Sequence, residues 1–302
     1  MSQSNRDWDD YWRVARTQHD EVDPTGTDAT APFFLAEAPP PNEATTVLDL
    51  GSGAGVLSSK LINSGYSHAQ FLGVDLSYDA AQMTMNNTKG AAIQSDLAKL
   101  PVATNTIDWV VSQFAIEYAP PSAWEEAARV IKPGGRLTVV AHACGSIIYE
   151  EHKQALTAFG VIDRVVRTAL TTDQNGDPMV VSDQSTLMQA IEQLQSIMTD
   201  DLGALAMPMT RALLDYLLPL SSGKGSVSNT LRASLRRWLL DYRAYKGRIE
   251  SMLQAALAPA NFMLCQQALV SVGFSIQTAG FLTVAKGGKL GFKLSALKTI
   301  GS

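Results

Sequence analysis

Three acids and three glycines carry the chemistry that can be read from this chain. In VLDLGSGAGVLSSKL (residues 47–61), Asp49 stands just ahead of Gly51, Gly53 and Gly55, where an apolar strand-like run meets a helical pattern. Glycines at such a junction let the backbone turn sharply and approach a ligand closely, and a helix start offers free N–H groups. A tight turn with no ligand is the plainer alternative. Spacing narrows the choice of ligand. A dinucleotide turn reads Gly-x-Gly-x-x-Gly; here the third glycine comes one position early, and Val56 takes its place. A carboxylate at Asp49 would repel a pyrophosphate and suits a ligand bearing an ammonium or another cation.

Two further acids fall at comparable places. Asp75 ends the next strand-like run in GVDLS, and Asp96 ends a third in QSDLAKLP. A carboxylate at the first position can accept both hydroxyls of a ribose, and one at the second can accept from an exocyclic adenine amine. Ligands of open α/β sheets bind at the carboxyl ends of strands, where all of these residues fall. For each Asp taken singly, capping a helix is the alternative.

The elements that must position these residues alternate. Strands are expected at TTVLDL (45–50), QFLGVDL (70–76), AAIQSD (91–96), TIDWVVSQF (106–114) and RLTVVAH (136–142). They are short, apolar and β-branched, and helical stretches or loops separate them, as in a parallel sheet covered on both faces. Helices are expected after the first and second strands, over 121–131 and over 261–272. FSIQTAGFLTVA and KLGFKLSALK then read as an antiparallel hairpin joined through KGGK. Ahead of the sheet, DWDDYWRVARTQH (7–19) reads as a short helix, residues 20–46 as loop, and APPPNE (38–43) as a stiff connector. Residues 146–258 are almost wholly helical in period, with helices expected over 147–170, 183–199, 203–218 and 228–258; Asp183 and Ser228 are candidate caps, and NGDP and SSGKGS are breakers.

Composition narrows the functional classes. The chain has 302 residues, 46% hydrophobic and 18% charged, with a formal net charge of -5. That balance speaks against bulk attraction to nucleic-acid phosphates. The two cysteines, Cys144 and Cys265, lie far apart with no ligand spacing, so neither a disulfide framework nor a metal site is expected. No apolar run is long enough for a membrane span, and the polar start MSQSNRDWDDYW lacks the apolar core of a signal peptide. A reducing, cytoplasmic setting is expected.

DLGSGAG, GVDLS, QSDLAKLPVATNTIDWVV and RVIKPGGRL, in this order, resemble the motifs of class I S-adenosylmethionine-dependent methyltransferases, in feel the ubiquinone- and menaquinone-type branch. The resemblance covers about residues 45–143 and returns at 261–298. It implies a Rossmann-like seven-stranded sheet, mostly parallel with an antiparallel last strand, here with an inserted helical cap. The domains expected are a leader and linker (1–44), a core (45–145 and 259–302) and the cap as substrate domain (146–258). The cofactor implied is S-adenosylmethionine. Asp49 would lie near its amino group, with Gly51, Gly53 and the turn's Gly55 beneath it. Asp75 would hold the ribose, Leu76 would lie against the adenine, and Asp96 and Leu97 would read the adenine edge. Gln113 would lend a backbone carbonyl, and Tyr11, with Trp12 beside it, would close over the cofactor unless the leader aromatics merely pack on the domain.

A sulfonium is an already activated methyl donor, so alignment and exclusion of water matter most. His142, after the fifth strand, is a candidate base for a hydroxyl acceptor, with a packed or capping role as the alternative. Glu117 and Tyr118 in QFAIEYAP are further candidates. The same stretch lacks the Asn/Asp-Pro-Pro-aromatic run of relatives that methylate bases or amides. That absence, with the acidic charge, speaks against a nucleic-acid partner, and a helical cap as large as 146–258 would enclose a pocket suited to a small, partly apolar acceptor. In the cap, Leu231, Leu235, Trp238, Tyr242, Tyr245, Ile249 and Leu253 form one apolar stripe. Arg232, Arg236, Arg243 and Lys246 share a neighbouring face, either solvated or receptive to an acidic ligand. Met207, Met209 and Leu213, near the helix-starting or kinking Pro208, suit core, pocket or a homodimer face in the cap. The rival readings are a non-catalytic cofactor-binding sensor or scaffold, an NAD-type oxidoreductase, and a fold relative that uses the cofactor for chemistry other than methylation.

Overall fold

The structure, a computed structural model, describes residues 8–9, 11–12, 29–41, 45–172, 178–181, 183–199, 204–221, 228–284 and 287–300. The chain divides into two compact units, one of residues 1–149 with 254–302 and one of residues 150–253.

The first unit is built on a seven-stranded sheet. Its strands are β1 (Thr46–Leu50), β2 (Gln70–Asp75), β3 (Ala91–Gln94), β4 (Ile107–Gln113), β5 (Ile131–Ala141), β8 (Phe274–Thr283) and β9 (Lys289–Lys298). They lie in the order β3-β2-β1-β4-β5-β9-β8. The first five pair in parallel, and β9 runs antiparallel between β5 and β8. This is the Rossmann-like sheet with an antiparallel last strand that the motif order implies. The reversal of strand order falls between β1 and β4, which puts the ends of both beside the switch point where such sheets bind ligands. Leu48, Leu50, Val110, Ile131, Leu137 and Leu294 are fully buried in its core, as expected of strands covered on both faces.

Helices connect the strands: α2 (Val56–Leu61) after β1, α3 (Tyr78–Thr88) after β2, α4 (Ser122–Val130) before β5 and α9 (Pro259–Ser271) before β8. Helix α2 ends in a π-type turn at Ile62–Tyr66, where Gly65 takes a positive φ of 113°. Residues 20–46 are not all loop, because α1 (Ala31–Glu37) forms there. Pro32 starts it with its φ already set, and Phe33 and Phe34 are buried. Strand β5 begins earlier than expected, running through the KPGG stretch, with a register shift against β4 between Ile107 and Trp109. Strand β3 stops at Gln94, so Asp96 lies beyond it. Of the leader only Trp8, Asp9, Tyr11 and Trp12 are described, all helical; Ala15 and the rest of the expected 7–19 helix lie outside the described residues.

The second unit is a helical bundle carried by α5 (Ile147–Ala169), α6 (Gln184–Thr199), α7 (Met207–Ser221) and α8 (Asn229–Ala255). The whole stripe from Leu231 to Leu253 joins its core, with Leu235, Trp238, Tyr242 and Ile249 buried. Tyr242 stacks on Trp238 at 5.2 Å and donates to Asp163 Oδ1 at 2.7 Å, while Lys246 Nζ lies 2.5 Å from Asp163 Oδ2. Lys246 is thus paired with acids of its own unit. The segment is not wholly helical: β6 (Leu170–Thr172) and β7 (Pro178–Val180) form a small antiparallel ladder. Of the breakers between them, Asn175, Gly176 and Asp177 lie outside the described residues, as do residues 222–226 of the second. Leu213 is buried, and Met209 packs against the same core. Among the described residues no helix is long and apolar enough to cross a membrane.

One lysine ties the ends of the sheet unit together. Lys298, closing β9, donates to the Ala128 and Ile131 carbonyls at 2.9 and 2.8 Å and to Asn105 Oδ1 at 2.9 Å. It caps the last carbonyls of α4, and burial lowers its pKa. Lys298→Met is expected to cost about 1–3 kcal/mol of stability, read from the denaturant midpoint at constant slope.

Candidate functional site

The glycine turn is held by strand β2 as much as by its own residues. Gly51 and Ser52 N–H donate to the Val74 carbonyl at 2.7 and 3.1 Å. Gly51, Gly53 and Gly55 all take left-handed φ, at 65°, 55° and 74°, which explains the residue type at all three. Space adds a second reason. A Cβ on Gly51 would fall 2.3 Å from Ala115 Cβ, and one on Gly53 would fall 2.7 Å from the Trp12 ring.

Asp49 and Asp75 are buried beside this turn. Asp49 Oδ2 accepts from Ser58 Oγ at 2.6 Å, so the first turn of α2 faces back onto the acid that precedes it. Asp75 Oδ2 accepts the Gly53 N–H and Oδ1 accepts the Ser77 N–H, both at 2.9 Å. Burial pushes both carboxyls up to about 6; their hydrogen bonds oppose the rise, and the charge of Asp75 adds to it at Asp49. A carboxylate offers about four acceptor positions, so Asp75 braces the turn with two of them.

The other candidates divide. Leu76 is half-buried, and its carbonyl accepts from Gln94 Nε2 at 3.1 Å. Leu97 is buried, whereas Asp96 is exposed and its Oδ1 accepts the Ala98 N–H at 2.9 Å. Asp96 therefore stands apart from the two buried acids and caps its own turn. Gln113 ends β4, and its Oε1 accepts from Thr30 Oγ1 at 3.3 Å. In the leader, Trp12 rather than Tyr11 meets the glycine turn. Tyr11 is buried, edge-on to both Trp8 and Trp12 at 5.9 and 5.0 Å.

The three catalytic candidates come together. Glu117 Oε1 accepts the backbone N–H of His142 at 2.8 Å and lies 2.7 Å from its Nδ1. Tyr118 lies edge-on to His142 at 5.7 Å and to Trp8 at 5.3 Å, and Phe114 covers the imidazole at 4.5 Å. Phe114 makes this possible with a left-handed φ of 53°, unusual for a bulky residue, which swings the chain from β4 into the 3-10 turn Ile116–Tyr118. Ser112 locks that turn to the β1 end: its Oγ donates to the Leu50 carbonyl and accepts the Ile116 N–H, both at 3.1 Å.

Several residues of the site are absent from the motif reading. Thr84 Oγ1 lies 2.9 Å from both Ser52 Oγ and the Gly53 carbonyl, and Asn87 Nδ2 donates to the Ala54 carbonyl at 2.9 Å. Their spacing of three along α3 was the available signal. Asp9 Oδ1 accepts from Ser77 Oγ and Tyr78 N–H at 2.7 and 3.1 Å, which ties the leader to the Asp75 corner. Nothing local marks Ser58 or Asp9 beforehand, since each depends on a partner in another element.

A nucleoside bearing a positive charge fits this donor and acceptor set. Two buried acids favour a cation, side chains are missing at Gly51 and Gly53, and the Trp12 ring lies alongside.

Comparison with known proteins agrees with the sheet. Residues 48–139 match the family model of a methyltransferase domain. The chain is 33% identical over 151 residues to the malonyl-[acyl-carrier protein] O-methyltransferase of Herminiimonas arsenicoxydans, covering 50% of this chain and 55% of that one. It is 28% identical over 167 residues to the ubiquinone/menaquinone biosynthesis C-methyltransferase UbiE of Roseobacter denitrificans, covering 50% and 66%. The chain spans about half the length, or less, of the first curated relatives it matches. A solved structure described as "Conversion of a Disulfide Bond into a Thioacetal Group during Echinomycin Biosynthesis" shares the fold at a TM-score of 0.52 and 11% identity, over 99% of this chain and 94% of that one. The match over residues 48–139 and the methyltransferase relatives support a class I methyltransferase domain in the sheet unit, with S-adenosylmethionine as its cofactor.

Proposed function

We propose that the chain transfers the methyl group of S-adenosylmethionine to an oxygen, nitrogen or carbon of a small, partly apolar molecule. The observation that carries this reading is the pair of buried acids, Asp49 and Asp75, against a turn without side chains at Gly51 and Gly53. Asp49 serves the ammonium end of the cofactor and Asp75 the ribose hydroxyls, with Leu76, Leu97 and Asp96 on the adenine side. Gln113 lies at the amino end, and Tyr11 with Trp12 forms the cover. When bound, the cofactor supplies an electrophilic methyl on a sulfonium. The chain's own task is to orient it, exclude water and receive the acceptor on the His142 side. The helical segment, which enters the chain directly after His142 and its strand, is assigned to acceptor choice.

Titration calorimetry separates this reading from an NAD-type enzyme: S-adenosylmethionine is expected to bind and NAD is not. Release of S-adenosylhomocysteine in the presence of an acceptor separates it from a sensor or scaffold. Gly51→Val is expected to abolish cofactor binding and to lower the melting temperature, because the new side chain meets Ala115 and resists the left-handed φ of the turn. Binding at the wild-type level would remove the turn from the site.

The raised acids make a second test. Because folding lifts their pKa from 3.8 to about 6, the stability they lend is complete below 3.8 and is lost as pH rises through about 6. Asp49→Asn, which keeps an acceptor for Ser58, is therefore expected to raise the melting temperature of the free protein at pH 8, by the equivalent of about 1–3 kcal/mol, and to change little at pH 4. The same variant is expected to bind the cofactor about tenfold or more weakly.

A further inference from the structure

We propose that the acceptor is a phenol-like hydroxyl compound whose proton is taken by Nε2 of His142, with Glu117 as the positioning residue. This rests on the methyltransferase reading and narrows it from any oxygen, nitrogen or carbon to an acidic oxygen.

The geometry of the pair carries the inference. Glu117 has no exposed side-chain surface, whereas His142 keeps 11% of its own. Glu117 Oε1 holds the imidazole at Nδ1 and the His142 backbone at N–H, two contacts that fix the ring. With Nδ1–H donating to the Glu117 carboxyl oxygen, Nε2 carries the free lone pair. Nε2 has no hydrogen-bond partner among the described residues. Glu117 Oε2 is buried and has none either. Among the described residues Glu117 is hydrogen-bonded only from the His142 side, so an imidazolium formed at that ring faces a carboxyl group already in place. A pair of this kind is suited to removing a proton, and a ring fixed by its neighbour is pre-oriented for it.

The chemistry of the acceptor follows. A neutral amine attacks with its own lone pair and can lose its proton later to water, so it gains little from a base at the moment of transfer. An alkanol is a far weaker acid than a phenol, so the same base assists it less. A phenol, with an ordinary pKa near ~10, lies within reach. The surroundings suit a flat ring as well, since Phe114 and Tyr118 flank the imidazole and Trp8 adjoins Tyr118. In the step, the acceptor O–H bond breaks and its proton moves to Nε2. The oxygen's electron pair forms the new O–C bond as the methyl C–S bond breaks, with that pair remaining on sulfur. The imidazolium then returns its proton to solvent, and the products are an aryl methyl ether, S-adenosylhomocysteine and one proton.

Two measurements on the full chain test this. Long-range ¹H–¹⁵N correlation spectra of the free protein, with His142→Asn assigning the signal among the four histidines, are expected to show His142 protonated at Nδ1 and bare at Nε2. A proton on Nε2 would overturn the assignment. Turnover is then followed as S-adenosylhomocysteine release with 1-naphthol, 1-naphthylamine and cyclohexanol. The naphthol is expected to be methylated at least ~10-fold faster than either comparison, and both His142→Asn and Glu117→Gln are expected to lose about a hundredfold or more of that rate. S-adenosylmethionine affinity in both variants is expected to stay within about twofold of wild type, which also shows that they fold. Unchanged turnover in Glu117→Gln, or preference for the amine or alkanol, overturns this inference alone. A wild-type chain that takes up no S-adenosylmethionine overturns the methyltransferase reading with it.

Discussion

Two carboxylates taken out of water beside one glycine turn are the constraint on which the rest of this site depends. An uncompensated buried acid responds by holding its proton, and Asp49 and Asp75 do so, each pushed up to about 6. Asp75 cannot be moved away from the turn, because its two oxygens take the N–H groups of Gly53 and Ser77 that shape the corner. Asp49 is held against Ser58. The turn is therefore built around acids that destabilise the empty fold once ionised. A cationic ligand would convert that penalty into affinity, which is why we propose this corner for a sulfonium and an ammonium.

The sheet supplies the precision. Asp49 and Asp75 are set on neighbouring parallel strands whose register pairs Leu50 with Val74. On the other side, β4 pairs with both β1 and β5, and the turn leaving it carries Glu117 to the end of β5, where His142 lies. Ser112 bonds both the β1 end and the 3-10 turn, so the cofactor corner and the His142–Glu117 pair share one rigid edge. Rigid strand ends of this kind hold reacting groups more closely than free loops do.

Much of this edge was legible in the residues. Glycines at 51, 53 and 55 announced backbone angles that other residues avoid, and the β-branched runs around Leu48, Val74 and Val110 announced buried parallel strands. Other parts depended on contacts between distant elements. The pairing of Glu117 with His142 requires the left-handed bend at Phe114, which nothing in QFAIEYAP signals. Asp96 follows the same motif logic as Asp75, yet β3 ends two residues before it and leaves it at the surface. The short helix at Ala31–Glu37 lacks a helical period and is held by burial of Phe33 and Phe34 and by Glu37, which pairs with Arg136 and accepts from Thr278. In the second unit the stripe on α8 was plain, whereas the β6–β7 ladder hides among breakers.

The central claim is that S-adenosylmethionine replaces protons at two buried acids. Calorimetric titration at pH 6, repeated in buffers of different ionisation enthalpy, measures the protons exchanged on binding. The account predicts net release of about half a proton to one proton per cofactor bound, because acids near half-titration become fully ionised beneath the cation. Binding with no proton release, in the wild type and in Asp49→Asn alike, would contradict it.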